Sequence, residues 1–259
     1  MLDLLLDPLF RVPLLTGALL AFVLPLFGAL LMLRDEWLVA LGIAHLAAAS
    51  SLLGLAVGLP AVAGSLAGAL AGGAIKSRLD VRGNLAYAFM ILVGWAALIL
   101  IAANTRLGAD LGHALVEGQL YFAGPLELTA ALLLAGWILV ELPRLAPRLV
   151  RACLFPAQEA VDRLQSGRWH LRFDLLAASG VAIAATTLGL MGAFALVLVP
   201  AWIAFRIAPS WRWTLALSAL LGGIGYLLAY LSALALDQPF GPMLVAVLVV
   251  LAALTRLRV

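Results

Sequence analysis

The sequence predicts an all-α protein, a polytopic membrane helical bundle of eight or nine transmembrane helices, and three observations carry that prediction. Apolar runs near 20 residues recur along the whole 259-residue chain, and about 20 apolar residues cross a hydrocarbon core of about 30 Å. Only 11% of the residues are charged while 65% are hydrophobic, whereas a soluble domain carries about 25% charge. The basic residues fall in the breaks between the apolar runs, which is the distribution of membrane topology rather than of nucleic-acid binding. A mean hydropathy of +1.14 agrees.

Nine hydrophobic segments follow in order, at about 13–33, 37–58, 60–75, 85–103, 126–142, 173–190, 193–205, 213–235 and 241–255. Alternate gaps hold Arg34, Lys76, Arg78, Arg82, Arg144, Arg148, Arg151, Arg163, Arg168, Arg172, Arg206, Arg212, Arg256 and Arg258 on one side, against Arg11 and Arg106 on the other. The basic side is therefore assigned to the cytoplasm. The C-terminus then lies inside, and the N-terminus outside if all nine segments cross. Gly189, Gly192 and Pro200 make the stretch from Thr187 to Phe205 the exception. It is expected to be broken or re-entrant, a backbone that survives at membrane depth only inside protein or beside a cavity. Eight crossings then remain an alternative.

Gly64, Gly68 and Gly72 recur every four residues, a ridge that lets another helix backbone come close. It suits either packing within one subunit or a dimer seam. No internal repeat or linker divides the chain, so residues 1–259 are read as one transmembrane domain. One cysteine, Cys153, excludes a disulfide framework and a cysteine-based metal cluster. The start, Met1-Leu2-Asp3-Leu4, lacks a basic n-region, so no removable signal peptide is expected.

The longest polar stretch, about 143–172, contains Leu154-Phe155-Pro156-Ala157-Gln158-Glu159-Ala160-Val161-Asp162-Arg163-Leu164. Pro156 followed by Gln158 and Glu159 has the form of a first helical turn. Leu154, Val161 and Leu164 supply apolar contacts, and Gly167 is expected to end the pattern. This is either a short amphipathic helix for docking a partner or a solvated connection.

Five motifs carry a resemblance. Gly42-Ile43-Ala44-His45, the segment Gly118 to Leu128, the Pro156 loop, Gly192 to Arg206 with its Pro200-Ala201, and Leu236-Asp237-Gln238-Pro239-Phe240-Gly241-Pro242 occur in that order. Together they resemble the permeases of zinc/manganese-type ABC importers, collinearly from about residue 9 onward. The resemblance implies a type II ABC importer permease-like fold and a homodimer around a central pathway. It also implies cytoplasmic ABC ATPase subunits that grip the coupling loop at Pro156, Gln158, Glu159, Asp162 and Arg163, and an extracytoplasmic metal-binding protein that delivers the ion. The cargo would be a divalent transition-metal ion (zinc, manganese or iron) or its chelate, with no permanently bound cofactor. The setting would be the cell (inner) membrane, multi-pass. The chain has no GxxxxGK[ST] phosphate loop, and its only lysine, Lys76, lies in Gly73-Ala74-Ile75-Lys76-Ser77. ATP chemistry is therefore expected in another chain, and this one is not expected to be an enzyme.

Polar groups inside spans are functional candidates because their burial is costly. His45 stands first, amid small neighbours, and neutral imidazole is a common ligand for transition metals. The alternative is a histidine satisfied by a neighbouring helix. The family pattern has Asp where this chain has Leu41, one turn before His45, and again where it has Gln119. Another cargo, compensation by other carboxylates, or transit with little coordination would each account for that. Glu117, Gln119, Asp110 with His113, and Asp237 are the candidates for compensation at the outer end. Glu141 and Asp174 are expected at helix ends, capping or pairing with arginines. A membrane enzyme is disfavoured by the lack of HExxH, GxSxG or paired acids. A secondary transporter is disfavoured by the lack of a mid-span carboxylate.

Overall fold

The structure, a computed structural model, describes residues 8–79, 83–105, 118, 120–155, 157 and 163–256. Among these it contains nine α-helices and no strand. They are α1 (Pro8–Leu33), α2 (Leu38–Ala56), α3 (Ala61–Arg78), α4 (Asn84–Asn104), α5 (Pro125–Leu154), α6 (Arg163–Thr187), α7 (Gly189–Ile207), α8 (Trp211–Leu236) and α9 (Phe240–Arg256). One 3₁₀ turn, Leu120–Phe122, precedes α5. Each helix coincides with one of the nine expected segments. Six are long and apolar enough to cross a membrane outright. Of the other three, α9 is shorter, while α3 and α6 carry charge at one end.

Helix ends follow local chemistry. Pro125 opens α5, where its missing N–H costs nothing, and Glu127 accepts a 2.8 Å hydrogen bond from the Gly124 N–H just before it. Asp237 ends α8 in the left-handed conformation at φ 51°. Past it, the Gln238 N–H donates to the Ala233 carbonyl at 3.0 Å, as helix C-caps commonly do. Gly58, at φ 82°, turns the chain from α2 toward α3.

Packing is close. The helix α2 lies between α3 and α4, α3 packs on α6, α1 packs on α7 and α8, and α9 closes against α7 and α8. The glycine ridge resolves to a seam within the chain. A Cβ on Gly64 would sit 2.5 Å from the Ser50 carbonyl, and one on Gly72 would sit 2.7 Å from Leu46. Gly68 lies against Ser50 on the same face of α2.

Three expectations need correction. The stretch from Thr187 to Phe205 is not a broken piece. The helix α7 runs unbroken from Gly189 to Ile207 through Pro200, and the irregularity is confined to the turn Leu188–Gly189, where Gly189 takes φ 81°. Pro200 sits in the interior of that helix, buried with Leu196 and Ala201, so protein packing tolerates it. The polar stretch 143–172 is mostly helix: Pro143 and Pro147 lie inside α5, and Gly167 lies inside α6 instead of ending anything. The helices continue past the apolar core because charged side chains at their ends are solvated without unwinding the backbone. Of the coupling segment, Pro156, Gln158, Glu159 and Asp162 fall outside the described residues. Arg163 opens α6.

Candidate functional site

His45 occupies the middle of α2, where alanines at 44, 47, 48 and 49 leave little side-chain bulk. The ring is buried, 4% exposed, and α4 covers it. Gly94 of α4 permits that approach, because a Cβ there would sit 2.7 Å from the His45 Cβ. The next residue, Trp95, meets the imidazole edge to face at a centroid distance of 5.6 Å. One hydrogen bond orients the ring. Its Nδ1 lies 2.8 Å from the Leu41 carbonyl oxygen. A carbonyl only accepts, so Nδ1 carries the proton and Nε2 keeps its lone pair. That is the tautomer in which metal-binding histidines are held by a backbone partner. Leu41 thus serves through its backbone, although its side chain offers no ligand.

The other sequence candidates do not converge on this ring. Asp237 is exposed at the far end of α8, where it forms the turn into α9. Asp110, His113, Glu117 and Gln119 lie outside the described residues. Among the described residues no three His, Cys, Asp or Glu side chains gather in a metal-holding group.

The strongest polar cluster lies elsewhere, at the basic end of the bundle. The Lys76 ammonium of α3 sits 2.9 Å from Glu36 and 3.0 Å from Asp174 of α6. Arg34 completes the quartet, 2.7 Å from Glu36 and 3.1 Å from Asp174, with its guanidinium over the Phe173 ring. Asp35, at φ 54°, folds the chain back so that Arg34 and Glu36 point to the same place. Two cations and two anions balance in a buried setting, where an unpaired charge would be prohibitive. Asp174 therefore pairs with an arginine as expected, but from within α6 and not at its end. Glu141 likewise lies inside α5, 3.5 Å from Arg144. Sequence reasoning missed Glu36. Its only signal was the alternation Arg34-Asp35-Glu36 between two apolar runs, which reads equally as a solvated turn.

At the opposite end an aromatic cluster seals the bundle. Tyr121 packs on Tyr230 at 5.8 Å and on Phe10 at 6.3 Å, and Phe240 touches Tyr226 and Tyr230. The Tyr226 hydroxyl donates to the Leu14 carbonyl at 3.1 Å. Burial pushes the Tyr121 phenol above its ordinary range, so it stays neutral. Gly118, at φ 93°, rests against the Leu188–Gly189 turn, which pins the segment before α5 to the α6–α7 hairpin.

The profile of the ABC 3 transport family matches residues 7–258. No curated protein matches the chain. Among solved structures, a chain of PsaBC from Streptococcus pneumoniae, solved in complex with a Fab, superposes at a TM-score of 0.85 with 17% identity, over 98% of this chain and 93% of that one. An inward-facing structure described as a metal-chelate type ABC transporter superposes at 0.77 with 15% identity, over 99% and 88%. At such identities these likenesses speak to the fold alone, an all-α helical bundle, while the family match extends over nearly every residue. This multi-pass membrane protein belongs to the ABC 3 transport family.

Proposed function

We propose that the chain is the transmembrane permease subunit of an ATP-binding-cassette importer for a divalent transition-metal ion, zinc, manganese or iron, or its chelate. The observation that carries the reading is the family match over residues 7–258. The two structural neighbours support its direction, since one is described as metal-chelate type. His45 is the group proposed to touch the ion in transit, with Nε2 as donor and Leu41 holding the ring. A single neutral imidazole suits a cargo that must leave again, because weak, sparse coordination favours conduction over storage. Asp237, Glu117 and Gln119 are retained only as outer-end groups that the ion meets before the span.

In this reading the permease works as a homodimer in the cell (inner) membrane, with its basic end in the cytoplasm. Cytoplasmic ATPase subunits dock on the segment from Pro156 to Arg163, and an extracytoplasmic metal-binding protein delivers the ion. The chain itself hydrolyses nothing, since ATP chemistry needs a phosphate-binding loop that its sequence lacks.

The test is metal content of cells lacking the gene, measured for several metals at limiting supply, together with ATP turnover by the purified chain. A deficit in one transition metal and no ATP turnover are expected. Unchanged content of every transition metal, or ATP turnover by a preparation free of other subunits, overturns the reading.

A further inference from the structure

The lower part of α5 and the start of α6 carry arginines that neither the fold nor the proposed transport uses. At about 1.5 Å per residue the 30-residue α5 is about 45 Å long, whereas the hydrocarbon core is about 30 Å thick. Its last ten or so residues therefore lie beyond the core, at the depth of the lipid headgroups. Leu145, Ala146 and Leu149 are buried there and fix the helix against the bundle. The opposite stripe carries Arg144, Arg148 and Arg151, all exposed and spaced four and three residues apart, hence on one face. Arg168 and Arg172 stand exposed on the neighbouring turns of α6.

Trp169 ties the two stripes together. The Arg148 guanidinium lies 3.3 Å from the centroid of its ring, and the Arg172 guanidinium lies 5.0 Å from the same centroid. Two like charges thus converge on one indole. Glu141 engages only Arg144, at 3.5 Å. Among the described residues Arg148, Arg151, Arg168 and Arg172 make no ion pair. Crowded cations without a counter-ion repel one another, and a planar guanidinium favours bidentate binding of phosphate oxygens. A tryptophan at this depth is the side chain that favours the membrane interface.

We propose that this arginine cluster around Trp169 binds the phosphate headgroup of an anionic glycerophospholipid in the leaflet at the basic end of the bundle. Charge complementarity and depth both select a lipid. The face looks outward from the bundle where the cytoplasmic leaflet supplies negative headgroups, and the acyl chains run up beside α5, where Trp137, Leu139 and Val140 are exposed.

The test uses the full chain in nanodiscs of phosphatidylcholine, alone or with a minority of phosphatidylglycerol. Lipid retained on extraction is read by native mass spectrometry, and the melting temperature is read alongside. Wild type should retain phosphatidylglycerol selectively and melt higher in its presence. Each arginine at an anionic surface is worth roughly fivefold in partition, so R148Q/R172Q should lose about twenty-five-fold of that preference. The control R206Q/R212Q removes the same charge elsewhere at the same end and should keep it. R151Q/R168Q, which leaves the Trp169 ring contacts intact, should lose preference as well and serves if the first pair proves unstable in phosphatidylcholine alone. Equal loss in cluster and control variants would reduce the site to diffuse surface charge and overturn the proposal. Displacement of the lipid by millimolar inorganic phosphate would do the same. So would retained lipid preference with lost ATPase-subunit binding, which would assign the surface to a protein partner.

Discussion

The Lys76 ammonium of α3 lies 3.0 Å from both carboxylate oxygens of Asp174 in α6, a buried ion pair between residues 98 apart in the chain. It locks α3, α6 and the α1–α2 turn together through Glu36 and Arg34. The helix carrying Asp174 begins at Arg163, the last residue of the proposed ATPase-docking segment.

Removing one member of this quartet leaves a buried charge uncompensated. Lys76→Met should destabilise the protein by about 3–5 kcal/mol, read as a lower melting temperature in detergent. The double variant Lys76→Met with Asp174→Leu should recover part of that loss, because it removes an anion along with the cation. A Lys76→Met protein that melts like wild type would show that water already screens the cluster.

The α2–α3 seam makes a second stability prediction. Gly68→Val places a branched side chain against Ser50, with the Leu46 carbonyl 3.0 Å from the first added carbon. Overpacking of this kind costs about 1–3 kcal/mol. Gly136→Val, on α5 where nothing lies within 4 Å, should be close to neutral in the same melting assay. Equal melting of the two variants would mean that the seam is looser than its contacts.

His45→Ala should lower metal uptake at limiting supply while membrane abundance stays near normal. Leu41→Asp adds a carboxylate one turn away while leaving the backbone carbonyl that holds Nδ1 in place. It should tighten ion binding and shift metal preference, with slower transit if the ion is held too firmly. The shift should vanish in the double variant with His45→Ala. Full uptake by His45→Ala across all metal concentrations would leave the imidazole as a packing group against Gly94 and Trp95.

Glu159→Arg or Asp162→Arg should uncouple ATP hydrolysis by the assembled transporter from uptake without lowering its melting temperature. Normal transport and normal ATPase-subunit association in both variants would reduce that segment to a connection.

Nine helices could be read from the sequence because membrane insertion writes itself into one dimension. A span needs a run of apolar residues, and each end needs charge or a turn, so length and spacing suffice. Gly189 does turn the chain, but the same reasoning failed at Gly192 and Pro200, and at Gly167. Those residues break isolated helices, but packing and continued hydrogen bonding override such preferences in place. Tertiary structure alone decided which polar groups meet. Nothing local distinguishes Glu36 from a solvated turn residue. Its burial follows from α3 and α6 arriving at the same depth with opposite charges, a fact of three-dimensional packing. Likewise the sequence by itself marked His45 as an uncommon polar group in a span and Leu41 as a missing carboxylate. Only the fold showed that the Leu41 carbonyl orients the imidazole and that Gly94 and Trp95 enclose it, because helix backbones place partners by shape and not by order along the chain.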